Sequence, residues 1–208
     1  MNLYPPQHHQ EEQFENVIKT IETFPLAQLI TVCENKPLIT HLPLRYSRNE
    51  KLGSLTGHID NTNPQLKSLK EGAPATLVFN GPDTYISPSI YSTRQLPTWN
   101  YIKIHLEGKV TRLLSNDQLK TEMVKLTQFL EESEQKYRLD KEDARMEAFV
   151  NYVTGFEIEI TAWEGKFKLS QDKNKKDQAA AKAALTTNYA TVTPGYLNAI
   201  YSNHVKKG

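Results

Sequence analysis

The chain has one cysteine, Cys33, and so no internal disulfide, which fits a reducing compartment. Cys33 ends the apolar run AQLITVC and reads as a small buried hydrophobe, because no base is visible beside it to make a nucleophile. Apolar runs approaching the ~20 residues of a membrane-spanning helix are missing. The start, MNLYPPQHHQEE, has no basic head followed by an apolar stretch, so it does not read as a signal peptide. The expectation is a cytoplasmic protein without a membrane partner. A charge excess is missing too: 25 Lys and Arg face 24 Asp and Glu over 208 residues, a formal net charge of +1. Neutralising phosphates supplies much of a DNA-binding domain's affinity and normally leaves a basic excess. The helical segments mix acids with bases, and none reads as a basic recognition helix, so sequence-specific DNA binding is not expected.

Catalytic and metal signatures are equally scarce. His8 and His9 are adjacent, and His41, His58 and His105 fall on separate strand candidates, without a carboxylate or thiol at ligand spacing. Ser87 and Ser89 flank Pro88 in YISPSIY, with neither the glycines nor the strand–turn–helix context of a nucleophile elbow. Phosphate loops of the GxGxxG or GxxxxGK[ST] type do not occur.

What is present is concentrated. The run GPDTYISPSIYSTRQLPTWNY, Gly81 to Tyr101, holds three of the ten tyrosines, one of the two tryptophans and three of the eleven prolines. It has the rings and hydroxyls of a binding site and almost no acid–base chemistry.

Around that run the periodicity changes repeatedly. Phe14, Val17, Ile18, Ile21 and Phe24 recur at helical spacing and predict a helix over Glu11–Phe24, stopped by Pro25. Six strands are predicted next: Ala27–Cys33, Leu38–Tyr46, Ser54–Ile59, Ala73–Phe79, Trp99–Leu114 and Phe156–Trp163. In the longest, Ile102, Ile104, Leu106 and Val110 share one face and Tyr101, Lys103, His105, Glu107 and Lys109 the other. Gly108 marks a bend or bulge there. Helices are predicted over Asp117–Glu132, Lys141–Val153 and Lys175–Leu185, with a short one after Thr193–Pro194. Strands in tight succession with helices inserted late describe a mainly β fold, a small antiparallel barrel with added helices. The division expected is a barrel domain over 1–170, with inserted helices at 115–155, and a C-terminal helical extension over 171–208.

Three stretches bear on binding. Pro43 in THLPL (Thr40–Leu44) cannot donate to a ladder and places that strand at an edge or bulge. In GHIDNTNPQL, Asn63 and Pro64 open a short helix whose free N–H groups either meet an anion or are capped as an ordinary turn. In EGKFKLSQ (Glu164–Gln171), Lys166, Lys168 and Ser170 alternate; if extended they share one face, suited to a phosphate or to a solvated strand edge.

The ordered set THLPL, GHIDNTNPQ, GPDTYISPSIY, LPTWNY, HLEGKV and EGKFKLSQ resembles the PaiB family across nearly the whole chain. These proteins have a flavin-binding split-barrel fold and are often named negative transcriptional regulators. The resemblance implies a six-stranded antiparallel split barrel that pairs as a homodimer and holds flavin mononucleotide (FMN) between subunits. It implies cofactor contacts from His41, Leu42, His58, Asn61, Asn63, Ser87, Trp99, Asn100, Tyr101, Lys166, Lys168, Ser170 and Gln171. The Gly81–Tyr101 run suits the ring; Lys166, Lys168 and the Gly57–Pro64 turn are the phosphate candidates. The chain departs from the family pattern at Asn61, where a basic residue is usual, and at Leu66 and Ile90, where tryptophan is usual. Losing a cation there weakens the expected grip on a phosphate. Three functions follow: an FMN-binding regulator, a flavin-dependent oxidoreductase of a small molecule, or an interaction protein that kept the fold without the flavin.

Overall fold

In the computed structural model, residues 5–131, 136–188 and 194–205 are described. Helix α1 spans Phe14–Thr23 and starts later than its apolar stripe suggests. Glu11 Oε1 accepts the N–H groups of Glu12 and Gln13 at 2.9 Å each, and Gln13 is still extended as the helix N-cap. Strands β1 (Leu26–Cys33) and β2 (Lys36–Pro43) follow as an antiparallel hairpin, in register from Leu26↔Pro43 to Cys33↔Lys36. Only Glu34 and Asn35 form the turn, both at positive φ (50° and 60°), the pattern that matches the twist of a two-residue hairpin. Cys33 beside it is half-buried.

The expected strand Leu38–Tyr46 is two strands. Pro43 ends β2 and Leu44 turns inward, completely buried, before β3 (Arg45–Ser47) begins. This corrects the strand count from six to seven. Strand β4 (Ser54–Asp60) pairs antiparallel with β3, and a 3-10 turn over Pro64–Ser68 follows it. Strand β5 (Pro74–Ile86) is longer than expected and takes in the first part of the aromatic run. Strand β6 is Thr98–Leu113 and keeps the predicted alternation, with Ile102, Ile104, Leu106 and Val110 buried.

Helix α2 (Asn116–Glu131) opens with a capping box: the Ser115 N–H donates to Gln118 Oε1 and the Gln118 N–H to Ser115 Oγ. Helix α3 is only Ala144–Phe149, shorter than Lys141–Val153, because Asp143 rather than Asp140 accepts the first N–H, from Arg145 at 2.8 Å. Strand β7 (Val153–Lys168) pairs antiparallel with β4 and also outruns its expected end at Trp163. Helices α4 (Lys175–Asn188) and α5 (Pro194–Val205) complete the chain. The sheet order is β2-β1-β5-β6-β7-β4-β3, with β2 and its Pro43 at one edge as the proline requires.

The chain forms two compact units. The first combines residues 1–24, 79–105 and 164–208; the second combines 25–78 and 106–163. In the first, Thr20 and the Tyr196 hydroxyl meet at 2.6 Å and fasten α1 to α5. In the second, Leu119 of α2, Met146 and Val150 of the α3 region, and Val153 form one apolar cluster, which gives the inserted helices a core of their own. Among the described residues, no helix is long and apolar enough to cross a membrane.

Candidate functional site

In the first unit, β6 and β7 place two rows of side chains on one face. Asn100, Ile102 and Ile104 of β6 point into the core, so Trp99, Tyr101, Lys103 and His105 point out. On β7, Gly165 and Phe167 are buried and Glu164, Lys166 and Lys168 alternate with them. Gly165 is needed here because a Cβ would sit 2.8 Å from Glu11 Cβ, and Glu11 donates its N–H to the Gly165 carbonyl at 2.9 Å. The N-terminal segment therefore lies directly against this stretch of β7.

The outward rows line a cleft of about 740 Å³, closed further by Asp83 and Thr98, within the roughly 300–1,000 Å³ of small-molecule sites. Trp99 is 52% exposed and meets Tyr85 edge-on at 6.1 Å between ring centres. The Lys166 ammonium lies 5.4 Å over the Tyr101 ring. Lys168 Nζ donates to Thr98 Oγ1 at 2.5 Å, and Lys103 pairs with Asp83 at 2.8 Å. His105 Nδ1 stands 3.3 Å from Glu164 Oε1. Three lysines against two carboxylates leave the cleft one positive charge in excess with His105 neutral. An aromatic wall beside that excess suits a flat, anionic molecule.

Thr98 and Lys168 also belong to a neighbouring pocket of about 290 Å³, which reaches His9, Gln95, Leu96, Ser170 and Lys173. Burial holds the His9 imidazole below its ordinary value, and its Nδ1 lies 3.2 Å from Gln171 Oε1. Ser170 does not continue the lysine row. Its backbone turns to φ 63°, the chain leaves the extended conformation, and its hydroxyl is buried between the Tyr91 hydroxyl at 2.9 Å and Asn100 Oδ1 at 3.0 Å. The expected common face of Lys166, Lys168 and Ser170 is thus corrected to the two lysines. Ser87 accepts the Ser89 N–H at 3.3 Å and caps the 3-10 turn Pro88–Ile90.

The remaining expected residues lie in the second unit. His41 is exposed on β2 and Leu42 is buried beside it. His58 is held below its ordinary value by burial and meets Phe149 edge-on at 6.4 Å. Asn61 donates through Nδ2 to the Asn151 carbonyl at 3.0 Å and accepts from Thr154 Oγ1 at 2.6 Å. Asn63 accepts the Gln65 N–H at 2.9 Å and donates to Thr40 Oγ1 at 2.9 Å. Asp60 takes the Thr62 N–H at 2.7 Å. Of the two readings of this helix start, the structure shows the capped turn, with Asn63 accepting the Gln65 N–H.

Of the residues expected to touch a cofactor, the structure brings Trp99, Tyr101, Lys166 and Lys168 into one cleft, and Asn100, Ser170 and Gln171 beside the adjoining pocket. Sequence reading missed Asp83, Lys103, His105 and Glu164 as lining residues. The strand period had already put Lys103 and His105 on the face of Tyr101; Asp83 and Glu164 needed strand pairing to be found.

Comparison with known proteins gives the setting. The family model described as "Putative FMN-binding domain" matches residues 3–162. The chain is 29% identical over 177 residues to "Protease synthase and sporulation protein PAI 2" of Bacillus subtilis, covering 84% of this chain and 85% of that one. It is 28% identical to an uncharacterized protein of Emericella nidulans, covering 82% and 85%. Among solved structures, the FAD and heme binding protein of Mycobacterium smegmatis superposes with TM-score 0.61 at 19% identity, covering 83% of this chain and 80% of that one. The flavocytochrome Anf3 of Azotobacter vinelandii does so with TM-score 0.54 at 18% identity, covering 82% and 75%. These likenesses are likenesses of fold, and the fold class is the flavin-binding split barrel.

Proposed function

The chain belongs to the FMN-binding domain family whose model it matches, and from that premise we propose that it binds FMN in the cleft on the outer face of β6 and β7. The ring lies against Trp99 and Tyr101, and Lys166 and Lys168 take the phosphate. What supports this placement is one observation: both aromatics and both lysines share a single cleft whose volume and charge suit a flat dianionic ligand. Lysine binds phosphate as a point charge, and charge-assisted hydrogen bonds are roughly twice as strong as neutral ones. Bound there, FMN supplies the redox chemistry for which the chain carries few groups of its own. Asn61 does not enter this placement, since its amide is engaged by Asn151 and Thr154.

The working assembly in this reading is a homodimer, in which a second copy covers the exposed Tyr85, Leu96 and Trp99. Exposed aromatics of this kind are enriched at interface cores, and a dimer mass by light scattering at micromolar concentration checks it. The regulatory role implied by the PaiB resemblance is carried without a sequence-specific DNA contact of the chain's own, because its net charge is only +1. The second reading, a flavin-dependent oxidoreductase, is favoured by the His105–Glu164 pair, since an imidazole oriented by a carboxylate is a proton-exchange group. It predicts that His105→Gln changes the pH dependence of the bound flavin's midpoint potential; an unchanged slope removes that reading.

The first experiment is an absorbance scan of purified protein, repeated after adding FMN. Bands near ~370 and ~450 nm that stay with the protein through desalting are the expected result. Protein that retains no FMN would leave the flavin-free interaction protein as the better reading.

A further inference from the structure

Helix α4 lies outside the residues matched by the family model, yet it carries Asp177, a fully buried carboxylate. Asn174 Oδ1 accepts the Asp177 N–H at 2.9 Å and so caps the helix start. The carboxylate itself collects four donors. Its Oδ1 accepts the Ser92 N–H at 2.6 Å and the Ser92 hydroxyl at 2.8 Å; its Oδ2 accepts the Thr93 hydroxyl at 2.7 Å and the Asn174 amide at 3.1 Å. Ala181, one turn further along α4, packs on Ile86 and Tyr91, on the chain just before Ser92.

The residues held in this way belong to 92–97, a stretch in neither helix nor strand. Without ladder hydrogen bonds, such a stretch opens easily unless side chains fix it. Its far end supplies a wall of the 290 Å³ pocket through Gln95, Leu96 and Pro97, and Thr98 links that wall to the main cleft.

We infer that Asp177 is a positioning residue for the ligand site: it latches residues 92–97, so that the cleft's shape depends on helix α4. The inference rests on the FMN reading for the identity of the ligand, while the latch itself is judged separately. Ser92 and Thr93 are exposed, so water replaces the carboxylate at their donors when it is removed. The cost is therefore the freedom regained by the segment rather than a buried unmet donor.

Two substitutions on the full chain test this. Asp177→Asn keeps the shape and loses the charge; Thr93→Val removes one donor and leaves α4 untouched. Arg94 is exposed within the latched segment, so tryptic cleavage after it reports undocking independently of flavin. The expected result is cleavage after Arg94 accelerated about tenfold in Asp177→Asn and less in Thr93→Val, since weakening of charged hydrogen bonds frees the segment. The same order is expected in FMN dissociation constants, about tenfold and less, with altered emission of the bound flavin. Added FMN should slow the cleavage in the unmodified chain. Unchanged cleavage in both folded variants would overturn the latch. Faster cleavage or a lower melting temperature with FMN affinity and emission intact would overturn the positioning role and leave a structural one. If the unmodified chain binds no FMN, the cofactor reading and the positioning role fail together, whatever the cleavage pattern says of the latch.

Discussion

The Gly57–Pro64 turn and the outer face of β6 and β7 were both phosphate candidates in the sequence, one rich in Asn, Asp and Thr, the other in lysine. Folded, they differ in what their polar groups do. In the turn, short side chains reach nearby acceptors and donors: Asp60 holds Thr62, Asn63 holds Gln65 and Thr40, and Asn61 holds Asn151 and Thr154. Asp60 and Asn63 hydrogen-bond locally and close the turn, while Asn61 and Asn63 are also taken up by partners from other segments of the unit. On the strand face, alternation projects Lys166 and Lys168 away from the backbone, toward Tyr101 and Thr98. The two regions differ in reach: the turn's short polar side chains are taken up close to the backbone, while the lysine ends lie out along the cleft.

Substitutions on each side sharpen this contrast. The largest expected effect on binding is from Lys166→Ala combined with Lys168→Ala. One hydrogen bond to a charged group contributes about 1.5–3 kcal/mol, so losing two should weaken FMN by at least about a hundredfold while riboflavin, lacking the phosphate, changes little. Flavin fluorescence titration reads both ligands. In the other region, Gln65 is completely buried and its Nε2 donates to the Leu29 and Leu38 carbonyls and to Thr31. Gln65→Ala should lower stability by about 1–3 kcal/mol through those stranded acceptors, seen in denaturant unfolding, with the FMN dissociation constant unchanged.

Acid provides a finer probe of the first unit. Burial pushes the Asp177 carboxyl up, but the hydrogen bonds from Ser92, Thr93 and Asn174 outweigh it and hold it at about 2, below its ordinary 3.8. A carboxyl depressed in the folded state contributes stability above its ordinary value and loses it as the pH falls from about 4 towards 2. Asp177→Asn should therefore flatten the stability profile in that window and leave its shape near neutrality unaltered; an identical acid limb in both proteins would contradict the hydrogen-bonding assigned to Asp177. The smallest effect is expected from Asn61→Arg. With the asparagine engaged inside its own unit, an added guanidinium should change FMN affinity by less than about twofold, below 1 kcal/mol. A tenfold gain would move the phosphate to the turn.

The strands were legible where one face is buried. Ile102, Ile104, Leu106 and Val110 announced β6 because alternation is enforced by the core. Strand ends were harder, since β5 and β7 continue past the apolar runs that declare them, through glycine and polar residues whose burial alternates only in the folded chain. Gly108 was readable as special but not as to why: it lies inside β6, and a Cβ there would meet Ile158 Cγ2 at 2.4 Å and the Glu159 carbonyl oxygen at 2.8 Å. The break at Pro43–Leu44 and the turn at Ser170 depend on partners distant in sequence. Of the cleft, Trp99, Tyr101, Lys166 and Lys168 could be named beforehand. Asp83, paired with Lys103, and Glu164, beside His105, could not, because each meets its partner only across strands. Asp177 was hidden for the same reason, since Ser92 and Thr93, which supply three of its four donors, lie 85 and 84 residues earlier.

The central claim is that FMN sits on the β6–β7 face. Amide chemical-shift mapping during FMN titration tests it most directly. The largest perturbations are expected in 98–105 and 164–170, abolished by the Lys166→Ala and Lys168→Ala pair. Perturbations confined to 57–64, and insensitive to those lysines, would contradict it.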